Sequence, residues 1–268
     1  MNDTLFKRID QGRTADEVVR QIELLILEGV LRSGERLPGE RDLSRQFNVS
    51  RPILRSALKS LEARGLLKTR HGGGTVVADV IGQVFREPVV EIISRHQKAT
   101  SDYLEFRREI DGLAADYAAR RATLEDRALI GDIIHRMEAA HAKDDFREEA
   151  EIDVELHNAI GESAHNMILL HTLRACYRLL TEGVFYNRSV VYALPGARDK
   201  LLDQHRAIAS AVLAGDAPAA RKAAEAHMDF VAEAMRVANQ TDDWRRVSRL
   251  RMRQRNDETR NDKERAAE

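Results

Sequence analysis

Leu37-Pro38-Gly39-Glu40-Arg41-Asp42-Leu43, followed by Val49-Ser50-Arg51-Pro52-Ile53-Leu54-Arg55, carries the pattern from which the fold follows. Pro38 and Gly39 punctuate a loop, Glu40 to Phe47 reads as a short helix, and Asn48-Val49-Ser50 is a tight turn into another helix. Ser50 stands where it can cap that helix, and Pro52 sits in the first turn, where a missing N–H costs little. Ile53, Leu54, Ala57, Leu58 and Leu61 then form an apolar stripe, while Arg51, Arg55 and Lys59 fall four apart on another face. One face is made for a core, and the opposite one is basic.

The flanks complete a unit. Upstream, Val18, Val19, Ile22, Leu25 and Ile26 recur at helical spacing after Thr14 and predict a helix to about Leu27, with Gly29 near its end. Downstream, Leu66 to Arg70 and Thr75 to Ala78 are β-prone and are separated by His71-Gly72-Gly73-Gly74, which predicts a hairpin. Three helices and a hairpin make a winged helix-turn-helix over residues 1–79, in which the third helix enters the major groove of duplex DNA. Arg51 and Arg55 are placed to pair with guanine edges, and Arg41 and His71 lie nearer phosphates or the minor groove. The alternative, a merely solvated arginine face, would leave the agreement of loop, turn and hairpin spacings without a cause.

From Val80 onward helical periodicity dominates, with helices expected over roughly 82–95, 101–121, 124–142, 145–163, 167–191, 196–214 and 216–239. The fold class is therefore mainly α: a winged helix-turn-helix followed by an all-α helical bundle over 80–240. Residues 241–268 carry nine basic and seven acidic residues from Asp242 on and few apolar ones, so they are expected to be a mostly disordered tail. At 268 residues and 43% hydrophobic content there is material for two cores. The net charge of −1 hides an asymmetry: residues 1–78 hold 14 Lys/Arg against 10 Asp/Glu, a net of +4, which leaves −5 for the rest. The single cysteine, Cys176, excludes an intramolecular disulfide framework and reads as a small buried hydrophobe. No apolar run approaches the roughly 20 residues of a membrane span and no apolar block opens the chain, so a cytoplasmic location without a membrane partner is expected.

Asp153 and His157 are four apart, so both project from one face of their helix, and His205 and His227 lie on the last two long helices. A carboxylate and imidazoles gathered from three helices would suit a divalent transition metal such as Zn, Ni, Fe or Mn and leave positions open for a ligand oxygen. Among nine histidines, spacing alone does not separate such a set from chance association. The other histidines, His96, His135, His141, His165 and His171, read as surface or packing residues. A metal with open positions could also activate water in a hydrolytic enzyme. Against that, the sequence shows no second carboxylate with obvious general-base placement, no Gly-rich phosphate loop and no nucleophile elbow. A further alternative is an architectural DNA-binding dimer in which the helical domain only dimerises.

Leu37 to Leu43 and Val49 to Arg55, together with Gly65-Leu66-Leu67 and Gly72-Gly73-Gly74-Thr75-Val76-Val77, closely resemble the GntR family of bacterial transcriptional regulators. The resemblance implies that Arg41, Ser50, Arg51 and Arg55 contact an operator and that His71 and Gly72 form the wing tip. Pro52 and Ile53 stand where the family often has small polar residues, so no hydrogen bond is carried over there. Tyr103-Leu104-Glu105-Phe106-Arg107-Arg108-Glu109-Ile110, Asp153 to His157, Asn166, Gln204-His205-Arg206 and Ala226-His227-Met228 resemble the FCD-type helical domain of the FadR subfamily. That resemblance implies a metal on Asp153, His157, His205 and His227, a small carboxylate effector beside it, and Arg107 as a contact for the acid. A single reading unit offers few base contacts, so a homodimer on a palindromic operator is expected.

Overall fold

The computed structural model describes residues 15–70, 74–78, 97–143, 146–181, 191–192 and 194–265. In chain order its elements are α1 (Ala15–Leu27), α2 (Glu40–Phe47), α3 (Arg51–Ala63), β1 (Leu67–Arg70), β2 (Gly74–Val77), α4 (Gln97–Arg121), α5 (Leu124–Ala142), α6 (Phe146–Ser163), α7 (Met167–Thr181), α8 (Ala197–Ala214) and α9 (Ala217–Arg265). They fall into two compact units, one drawn from Met1–Val90 with His165–Leu179 and the other from Glu91–Ala164 with Leu180–Glu268. Among the described residues no helix is long and apolar enough to cross a membrane.

The first unit is the winged helix-turn-helix. Val18, Val19 and Ile22 of α1, Leu43 and Phe47 of α2, and Leu54, Ala57 and Leu61 of α3 close one apolar core, which Leu67 and Val77 of the hairpin complete. Between α2 and α3 the chain turns sharply because Asn48 takes a left-handed conformation at φ 57°, which a short polar side chain tolerates. Ser50 is extended ahead of α3 and its carbonyl accepts from Leu54 N at 3.0 Å, but its hydroxyl makes no capping bond. The strands pair antiparallel from Leu67 opposite Val77 to Arg70 opposite Gly74. The loop before α2 lies along this hairpin, with Leu37 N donating to Thr75 O and Val77 N to Glu35 O, both at 2.9 Å. Gly74 has φ 80°, and a Cβ there would come within 2.8 Å of Arg36 Nε, so the turn into β2 needs glycine. The helix expected over 82–95 lies outside the described residues.

Helix α7, assigned from sequence to the helical domain, contributes most of its length to this first unit. His171 Nε2 lies 2.8 Å from Leu27 O, and Arg174 Nη2 donates to Gly29 O at 3.3 Å. A side chain at Gly29 would meet Arg174 Nη1 at 2.6 Å and Leu170 Cδ2 at 2.8 Å, so the end of α1 is shaped to receive α7.

In the second unit α4, α5, α6, α8 and α9 form the bundle. Thr123 and Asp126 start α5 with a reciprocal capping box, Asp126 N donating to Thr123 Oγ1 at 3.2 Å and Thr123 N to Asp126 Oδ2 at 2.8 Å. Buried Ala114, Ala115, Ala118 and Ala119 of α4 and Ala217, Ala220 and Ala224 of α9 keep side chains short where these helices pack. Ile130, Ile133, Leu156, Ile208 and Val212 fill the rest of the core. Helix α9 continues past 240 to Arg265, through the segment for which the sequence reading expected disorder. The physical reason is local: beyond Pro218 this stretch has no Gly or Pro and is rich in Arg, Glu, Gln and Ala, which favour helix even where there is no core to pack on.

Candidate metal centre and DNA-reading face

On the first unit Arg51 and Arg55 stand one turn apart on the exposed side of α3, opposite buried Leu54, Ala57, Leu58 and Leu61. Ser50 and Arg41 are also exposed, at the start of α3 and in the first turn of α2. Arg55 Nε donates to Glu40 Oε2 at 2.8 Å, and Arg41 Nε lies 3.9 Å from Asp42 Oδ1. Exposed pairs of this kind are worth about 0–1 kcal/mol, so exchanging Glu40 for a base edge costs Arg55 little. His71 and Gly72 lie outside the described residues.

In the second unit Asp153 and His157 of α6, His205 of α8 and His227 of α9 are all buried. The nitrogens of His157, His205 and His227 that can act as ligands lie within 4.8 Å of one another. Asp153 Oδ1 sits 3.0 Å from His205 Nε2 and 4.0 Å from His157 Nε2. Despite that proximity His205 Nε2 has no hydrogen-bond partner. A buried imidazole nitrogen beside a carboxylate, but not aligned with it, fits two donors aimed at a common third point. Burial pushes His157 down to about 4, the nearby Asp153 carboxylate opposing it, and burial together with the two neighbouring imidazoles holds His227 well below its usual value. These rings are therefore neutral at pH 7, the form in which imidazole ligates a metal. The N₃O donor set suits Zn, Ni, Fe or Mn.

Residues that sequence reasoning missed complete the surroundings. His227 Nδ1 lies 3.1 Å from Gln204 Oε1, so an N–H at Nδ1 donates to the amide and Nε2 is left to ligate. Arg107 is 2% exposed, and its Nε and Nη2 donate to Asp111 Oδ2 at 2.9 and 2.5 Å while Nη1 donates to Tyr103 Oη at 3.1 Å. A small cavity is lined by Asp153 and His205 together with His141, Glu149, Arg198 and Leu202. There Arg198 Nη2 donates to Glu149 Oε1 at 2.7 Å, and His141 bridges Glu149 and Asp199 at 3.0 Å each. Asp111 was foreshadowed by its i+4 spacing from Arg107 and Gln204 by its place beside His205. Nothing local pointed to the Arg198–Glu149 pair. Of the remaining histidines His135 is exposed, His171 holds Leu27 O, and His96 lies outside the described residues.

Comparison with known proteins gives two family matches: "Bacterial regulatory proteins, gntR family" over residues 14–77 and "FCD domain" over residues 102–230. A relative from Escherichia coli (strain K12), whose name assigns it to regulation of the L-lactate dehydrogenase operon, is 36% identical over 84% of this chain and 87% of its own length. The Glc operon transcriptional activator of the same organism is 32% identical over 83% of this chain and 89% of its own. The HTH-type transcriptional regulator LutR of Bacillus subtilis (strain 168) is 27% identical over 79% and 96%. Among solved structures, a GntR protein of Streptococcus agalactiae aligns with a TM-score of 0.52 at 22% identity, over 82% of this chain and 99% of that one, a likeness of fold.

Proposed function

Since the chain belongs to the GntR family of bacterial regulatory proteins and carries an FCD domain, it is a DNA-binding transcriptional regulator and not an enzyme, and we propose that a small carboxylate bound at a divalent metal in the helical bundle sets its operator affinity. The observation that carries this reading is the buried, unpartnered Nε2 of His205, 3.0 Å from Asp153 and within the cluster of three imidazoles. Asp153, His157, His205 and His227 would hold the metal. When bound, it would supply positive charge and open coordination positions for a carboxylate oxygen.

The chain's own residues account for the rest. A carboxylate entering an apolar bundle gives up its hydration, and a guanidinium already buried and oriented offsets part of that cost. Arg107 is such a group, held flat by Asp111 and Tyr103, and we assign it as the second anchor for the acid. A relative is named for regulation of the L-lactate dehydrogenase operon, and the favoured effector is accordingly a small acid of that class. Arg41, Ser50, Arg51 and Arg55, with His71 and Gly72 at the wing, would contact a palindromic operator as part of a homodimer.

The test measures metal by elemental analysis, and DNA release against a panel of lactate, pyruvate, glycolate and sugar acids, for wild type and for His205→Ala with His227→Ala. We expect one divalent metal per wild-type chain, loss of metal and of acid response in the double variant, and basal DNA binding largely kept. A metal-free wild type that still responds to an acid would overturn the site assignment.

A further inference from the structure

The end of α9 differs from the rest of the chain. From Trp244 to Arg255 it carries six arginines, Arg245, Arg246, Arg249, Arg251, Arg253 and Arg255, and no acidic residue, whereas Asp242-Asp243 precedes it and Asp257-Glu258 follows. The nearly balanced charge of the tail thus conceals a block of +6. The FCD match ends at residue 230, and neither the reading face nor the metal centre uses this segment.

Helical geometry arranges the block. Arg245, Arg249 and Arg253 recur every four residues, which advances each by about 6 Å along the axis and about 40° around it. Arg246 joins them, so four arginines share a sector about 100° wide. All four are exposed. Trp244, Val247 and Leu250 lie on other sides and are exposed as well, but Arg251 and Gln254 fall among them and Met252 points elsewhere, so no continuous apolar face forms.

We propose that this arginine face of α9 binds the phosphate backbone of duplex DNA and adds sequence-independent affinity to that of the reading unit. Charge complementarity selects the partner. A regularly spaced row of guanidinium groups matches a regularly spaced row of phosphates, each able to accept two parallel N–H bonds. The reading unit itself is only mildly basic, at +4 over residues 1–78, so a regulator of this charge gains from phosphate contacts supplied elsewhere in the chain. An anionic membrane would attract the same charges, but α9 lacks the continuous apolar face that would anchor it there, and a second copy of the same helix would bring arginines against arginines.

The experiment uses the full-length protein and a short random-sequence duplex, with binding followed by fluorescence anisotropy across a salt series. Wild type is compared with Arg245→Gln/Arg249→Gln/Arg253→Gln, which removes three charges and keeps good helix formers; circular dichroism checks that helicity is unchanged. If each arginine meets one phosphate, the slope of log affinity against log salt becomes shallower by about 2.7 per bound chain, so that between 50 and 200 mM salt the wild type loses about 40-fold more affinity than the variant. An unchanged slope overturns the proposal. So does an unchanged slope accompanied by loss of binding to phosphatidylglycerol vesicles, which would make the partner a membrane, or by a change in sedimentation, which would make it a second copy.

Discussion

His227 owes its orientation to a residue that no metal-ligand pattern would name. Gln204 stands one position before His205 on α8 and accepts from Nδ1 of a histidine on α9, so one short stretch both supplies a ligand and aims another. Replacing Gln204 by Leu leaves His227 Nδ1 without its partner, and we expect metal affinity to fall about 10- to 100-fold, read by competition with a chromophoric chelator. Undiminished affinity would mean that packing alone sets the ring. At this scale the sequence was legible wherever partners share a helix. Asp153 and His157 follow from the four-residue step, and Asp111 could have been inferred from Arg107 by the same step. Glu149 and Arg198 could not, because they lie 49 residues apart on different helices and their side chains meet only in the folded bundle.

Helices with strong terminal signals were read nearly to the residue. The helix expected over 124–142 is α5, Leu124–Ala142, which the structure shows to begin at a Thr123–Asp126 capping box, and Pro52 with Ser50 marks α3, although the Ser50 hydroxyl makes no capping bond. The late stop of α9 was not legible because charge density argues for disorder while residue propensity argues for helix, and the outcome depends on their balance. Helix α3 carries the testable consequence. Its buried stripe fixes which side faces outward, so Arg51→Ala and Arg55→Ala should each lose about 1–3 kcal/mol of discrimination between operator and random duplex at matched salt. Arg41→Ala should weaken both complexes about equally. Specificity retained by both α3 variants would mean that this helix does not read the groove.

For the whole molecule, the order of a reading unit followed by a helical unit was legible because hydrophobic period and turn chemistry change near residue 80. The unit to which α7 belongs was not, since a helix of mixed pattern does not announce its packing partner. One α3 contacts only a few base pairs, so tight operator binding calls for two copies related by a two-fold axis. Sedimentation of the full chain at micromolar concentration should show a dimer, and a monomer that binds its operator with undiminished affinity would refute this.

The placement of α7 bears on how the protein can be taken apart. The backbone passes between the two units three times, near 90, near 164 and near 179, instead of through a single linker. A fragment cut after residue 79 therefore discards the helix whose His171 and Arg174 engage the carbonyls of Leu27 and Gly29 and whose Leu170 packs at Gly29. Chimeras that graft one relative's reader onto another's sensor should accordingly take α7 and the end of α1 from the same parent, a junction rule that a linear domain map would miss.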